Sequence, residues 1–179
     1  ALKRVCPDAQ ARARTCAESA RVGVATAVTP IIGEPLTGDV LLVEHPGNPL
    51  PNLLVDLHDT SGAISLQLAG DVSIGEKSRL QTTFDNLPDV PLTSFTLALK
   101  PGGVLKAAAD LCKKPLGLDA QATFHNGVTR TASTVAAVPG CRVTAKSTTR
   151  ASARLTGAAT TAPRLTVTAT GAKLRSMRI

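Results

Sequence analysis

The chain has 179 residues, 43% hydrophobic and 18% charged, a composition that supports a packed core and excludes wholesale disorder. Phe84, Phe95 and Phe124 are its only aromatic residues, so the core has to be built from Val, Leu, Ile and Ala. A sugar-binding platform of Trp or Tyr is excluded, though a purely hydrogen-bonding sugar site is not. The net charge of +7 is unevenly placed: residues 1–141 sum to −1, and residues 142–179 hold eight Lys/Arg and no acid, which is +8.

In chain order, residues 7–14 (PDAQARAR) are helix formers behind a Pro-Asp start. From residue 21 the pattern turns to period two. Residues 21–29 (RVGVATAVT) alternate through Val22 and Val24. Residues 39–44 follow a turn-like Leu-Thr-Gly. Residues 53–58 place Leu53, Val55 and Leu57 on one face and Leu54, Asp56 and His58 on the other. Residues 63–72 group Ile64, Leu66 and Leu68. Residues 80–84, 95–100, 118–124, 129–138 and 142–148 continue the habit. Turn formers separate these runs, and Asn126-Gly127 is the strongest hairpin signal among them. Short alternating strands every 8–14 residues predict an all-β fold, an antiparallel β-sandwich of immunoglobulin-like or jelly-roll-like type. Residues 104–112 (VLKAAADLC) break the pattern and read as a short helix or a long crossover loop.

After Cys141 the composition shifts to Thr/Ser, Ala and Arg/Lys. Residues 164–170 and 173–179 still alternate, which predicts strands. The expected organisation is a module over 1–141, followed by basic strands over 142–179 that form a linker or open a further module. No run of 18 apolar residues is present, so no membrane insertion is expected in this segment. The chain begins and stops in patterned sequence, as a piece of a longer protein would.

The four cysteines are Cys6, Cys16, Cys112 and Cys141. None lies in a CxxC motif or beside a His, which argues against a zinc or redox site. Two sequence-local couples, Cys6–Cys16 and Cys112–Cys141, are favoured over the other two pairings. The competing reading is four buried free thiols in a cytosolic protein. A straight helix would hold Cys6 and Cys16 about 15 Å apart, whereas a disulfide needs Cα atoms within about 7 Å. A bridge there requires one or two helical turns and then a reversal. Disulfides imply an extracellular or cell-surface location.

Three groups of residues were weighed for chemistry. Asp56 and His58 share a strand face beside Asp59, but polar outer faces are ordinary on strands. His45 and His125 lie apart from them. Asp85, Asn86 and Asp89 surround a Pro-bearing turn, yet two Asp and one Asn fall short of the six to eight oxygens of a typical calcium site; an Asx-type turn is the expected reading. No nucleophile–base motif is present, so neither catalytic nor metal-binding residues are assigned, and no cofactor is expected. The basic residues Arg142, Lys146, Arg150, Arg154, Arg164, Lys173, Arg175 and Arg178 suit salt-sensitive contact with an anionic polymer. The stacking rings that nucleic-acid readers use are missing from that segment.

Three motifs occur in order: Cys16-Ala-Glu-Ser-Ala-Arg-Val-Gly, Pro35-Leu-Thr-Gly-Asp-Val-Leu-Leu and Leu80-Gln-Thr-Thr-Phe-Asp-Asn-Leu-Pro. Together they resemble a repeat module of large, uncharacterised secreted or cell-surface proteins of actinobacteria. The resemblance spans about residues 5–141, departing at Leu41-Leu42 and at Leu92, where that pattern carries aromatic residues. It implies secretion and modularity and brings no activity with it. The expectation is a non-enzymatic module that acts by spacing, display or adhesion, with neighbouring modules or another surface protein as partners. The alternative is a binder of anionic envelope glycopolymers through the basic C-terminal strands.

Overall fold

A computed structural model describes residues 5–76, 79–100, 110, 112–114 and 116–135, and the backbone of three short strands within 152–178. The fold is mostly antiparallel β-sheet with little helix. Residues 104–109, 111 and 136–151, including most of the expected helix or loop and the expected strand over 142–148, lie outside the described residues, as does Cys141.

The N-terminus forms the expected hook. Helix α1, Asp8–Arg12, follows Pro7 and runs for five residues. It ends because Arg14 takes a left-handed conformation at φ 57°. The Thr15 amide then donates to Gln10 O at 2.9 Å and the Arg14 amide to Ala11 O at 3.1 Å, which satisfies carbonyls at the helix end. The reversal brings Cys6 and Cys16 to a Cα separation of 5.5 Å, where a disulfide joins them. Cys112 is also disulfide-bonded.

Strands β1 (Arg21–Val28), β2 (Leu36–Val43), β3 (Asn52–His58), β4 (Ser65–Ile74) and β5 (Leu80–Phe84) form a meander. Strand β6 (Ser94–Leu99) returns to the far side of β1, which completes a curled six-stranded sheet. The hairpin β7 (Gly117–Phe124) and β8 (Thr129–Val135) turns at Asn126-Gly127. Its turn is closed by the Gly127 amide on Phe124 O, with only Gly127 left-handed at φ 81°. That is a three-residue loop, not the two-residue turn that Asn-Gly most often makes. Strands β9 (Ser152–Thr156), β10 (Arg164–Thr168) and β11 (Leu174–Arg178) add to the same sheet, with β10 beside β6, β9 beyond it, and β11 between β5 and β7.

Each face of the sheet has its own core. On the concave face Val22, Val40, Val55, Leu57 and the three Phe pack together. Phe84 lies opposite Gly70, and a Cβ on Gly70 would sit 2.7 Å from the ring, so the missing side chain makes room for the aromatic. On the convex face the hook lies over Leu41, Val43 and Leu54, burying Cys6, Ala11 and Ala20. The β1 side of β2 is open beyond Leu41, and Cys6 fills it: its amide donates to Leu42 O at 2.8 Å, and Glu44 N–H donates back at 2.9 Å.

Two local readings change. A bulge between Arg21 and Gly23 shifts the parity of β1. Val22 and Ala25 therefore face the core, and Val24 is 47% exposed instead of sharing their side. The Leu-Thr-Gly read as a turn is the start of β2. Gly38 sits there because β3 approaches so closely that a Cβ would lie 1.7 Å from Asp56 O. Ile64 precedes β4 and is exposed.

Gly38→Ala should therefore lower stability by about 2–4 kcal/mol. Gly33→Ala, whose methyl group would meet nothing within 4 Å, should change it by less than about 0.5 kcal/mol in the same urea titration. Replacing both Cys6 and Cys16 by Ser should cost about 2–4 kcal/mol. In hydrogen exchange the Cys6-position and Glu44 amides should then lose protection while Val55 and Leu57 keep theirs.

Candidate functional site

The convex face carries the polar side chains that sequence pattern grouped on β3. Asp39 and Asp56 are directly opposed across β2 and β3, a like-charge pairing that is unfavourable on its own. Each has an arginine partner: Arg21 reaches Asp39 at 2.6 Å, and Arg14 of the hook reaches Asp56 at 3.1 Å. The Gln67 side-chain amide donates to Ala11 O at 3.2 Å, a second fastening of the hook. His58 is exposed, and its Nδ1 lies 3.2 Å from Asp59 O. Asp56 and His58 therefore do not converge on a shared acid.

Asp59 organises the β3–β4 turn. It is buried, accepts from the Ser61 hydroxyl at 2.5 Å and the Ile64 amide at 3.1 Å, and Glu34 takes the Thr60 hydroxyl beside it. The Ser61 bond first, then the Ile64 amide, hold the Asp59 carboxyl below its ordinary value against the opposing effect of burial.

Residues 85–93 cross the concave face from β5 to β6. Asn86 is left-handed at φ 55°, which turns Leu87 inward to join the core. Asp85, Asn86 and Asp89 stay exposed. Among the described residues no group of three or more His, Cys, Asp and Glu could hold a metal ion. His125, on the β7–β8 turn, meets Leu87 O at 3.2 Å and pins this crossing. Beneath it lies an apolar recess of about 50 Å³ lined by Leu57, Leu66, Leu68, Pro88, Val90 and Leu92. Ligand pockets are commonly about 300 Å³ or more, so this is a packing gap. At the other end of the sheet, Arg79 pairs with Asp119. The Ser133 bond, followed by Arg79, lowers the Asp119 carboxyl from its ordinary value.

Of the eight basic residues singled out, Arg154, Arg164, Arg175 and Arg178 fall within β9, β10 and β11. Arg142, Lys146, Arg150 and Lys173 lie outside the described residues. In register, Arg164 stands opposite Thr156 and Ala98, and Arg154 opposite Thr166. The arginine partners of Asp39 and Asp56 escaped sequence reasoning, because only the folded hook brings Arg14 to β3.

No family model matches the chain, and no curated protein or solved structure matches it. No helix among the described residues is long and apolar enough to cross a membrane.

The lowered Asp59 value fixes a pH dependence. Its contribution is complete above the ordinary carboxyl value of 3.8 and is lost as pH falls through the lower folded value. Asp59→Asn should destabilise the chain at neutral pH and flatten the acid limb of a melting-temperature profile run from pH 7 to about pH 2.

Proposed function

We propose that the chain is a non-enzymatic structural and interaction module of a secreted or cell-surface protein, acting by spacing, display or adhesion. The observation that carries this reading is how the described side chains are used. The concave face is filled by Phe84, Phe95, Phe124 and Leu57 instead of enclosing a ligand. The polar groups that first suggested chemistry, Asp56, Asp59 and His125, bond within the fold. The Cys6–Cys16 disulfide supports an oxidising compartment. Phe124 of β7, packed in one cluster with Leu57 and Phe84, supports a second layer over the curled sheet, as in the expected sandwich. On this reading the module is one unit of an actinobacterial type of surface protein, with residues 142–179 serving the junction to a neighbour.

A second reading is favoured by a specific observation. The basic segment contributes strands to the sheet edge beside β6, which turns its charge into an ordered surface. Such a surface suits an anionic envelope glycopolymer.

A polygalacturonate column separates the two readings. The structural reading expects the chain to pass unretained at about 0.15 M salt. Retention that falls steadily with salt, and disappears in a form lacking residues 142–179, would overturn it in favour of the binder.

A further inference from the structure

Strand register exposes a pattern that no single segment contains. Thr26 of β1 stands opposite Thr37 on β2 and opposite Thr96 on β6. Thr96 in turn stands opposite Thr166 of β10. The row continues the other way, from Thr37 to His58 on β3 and Ser65 on β4. Six neighbouring strands thus place five hydroxyl residues and one imidazole in a single row. At about 4.8 Å between strands the row is roughly 24 Å long. Its next position, on β9, is Arg154.

The row belongs to the convex face. Phe95, Leu97, Ala25 and Ala27 alternate with Thr96 and Thr26 and are buried in the concave core. Thr37, His58 and Ser65 are exposed, and Thr26 and Thr96 are half-buried. Among the described residues the hydroxyls of Thr26, Thr37 and Thr96 make no side-chain hydrogen bond to another residue. The acids of the adjoining row, Asp39 and Asp56, are matched by Arg21 and Arg14. The balance of charge toward the β9 and β10 end is therefore positive, with Arg154 closing the threonine row and Arg164 standing in the adjoining one.

We propose that this threonine row, closed by Arg154 at the β9 edge, is the docking track for one extended anionic polysaccharide chain lying across the strands. The proposal rests on the second reading above and names where the polymer lies. A threonine hydroxyl both donates and accepts, which matches a partner that repeats hydroxyl donors and acceptors at regular intervals. A nucleic acid would call for stacking rings, which the row lacks. The basic edge supplies attraction and orientation, and the hydroxyls supply discrimination between a glycan and any other polyanion.

The test compares binding of the full chain to polygalacturonate, to neutral dextran and to polyglutamate, which is anionic without sugar hydroxyls. The variant Thr26→Val/Thr37→Val/Thr96→Val removes three hydroxyls while keeping side-chain shape and strand preference. Polygalacturonate affinity should fall about tenfold or more in this variant. Its weaker polyglutamate binding and its melting temperature should stay unchanged. Arg154→Gln/Arg164→Gln should weaken both polyanions and flatten the salt dependence. If the triple-valine variant binds polygalacturonate as tightly as the parent, or the parent prefers polyglutamate, the track is wrong even though the basic-strand reading stands. If the parent binds neither polyanion at low salt, both fall together.

Discussion

The arrangement depends on one chain crossing. A five-strand meander has two free edges and an uncovered apolar face, and residues 85–93 deal with both together. They carry the chain from β5 across the concave side, insert Leu87 into the core, and set β6 against β1. Because β1 then pairs on both edges, its bulge at Arg21–Gly23 is held from two sides. The concave face is thereby filled with few aromatics: each of the three Phe sits where the curl brings distant strands together, and Gly70 yields its side-chain volume to Phe84. With so little ring area in the chain, the positions of Phe84, Phe95 and Phe124 decide how the layers meet.

The convex face is organised by different forces. Its apolar patch, Leu41, Val43 and Leu54, is too small to attract another element by burial alone, and the hook is kept on it by a disulfide, the Arg14–Asp56 pair and the Gln67–Ala11 hydrogen bond. Ion pairs at half-exposed sites are individually weak, so the covalent link and the backbone bridge at Cys6 set the position, and the charges choose the orientation. The opposed carboxylates of Asp39 and Asp56 are tolerated because an arginine arrives at each from a different part of the chain.

Much of the fold was legible where a strand's two faces differ in kind. In residues 52–58 the alternation of Leu53, Val55 and Leu57 with Asp56 and His58 maps directly onto core and surface. It failed where tertiary approach overrides local habit. Nothing near Val22 and Val24 announces the bulge that separates their faces, and Leu36–Gly38 has turn composition although close contact with β3 makes it strand. Ser152–Thr156 was missed because Ser-Ala-Arg-Leu-Thr has few β-branched residues. The threonine row was invisible for a deeper reason: its members are scattered from Thr26 to Thr166, and only pairing register makes them neighbours.

The bridge from Cys6 to the end of β2 bears on how such modules coexist when crowded together. An unpaired stretch of strand backbone is a template onto which another chain can zip, and the segment from Leu42 to Glu44 would be such a template where β1 stops short. Cys6 satisfies both of its hydrogen bonds from within the same chain, and the disulfide keeps it from peeling away. The N-terminal staple thus doubles as a stopper against edge-to-edge aggregation, and a reducing environment would unlock a nucleus for fibre growth as well as soften the fold.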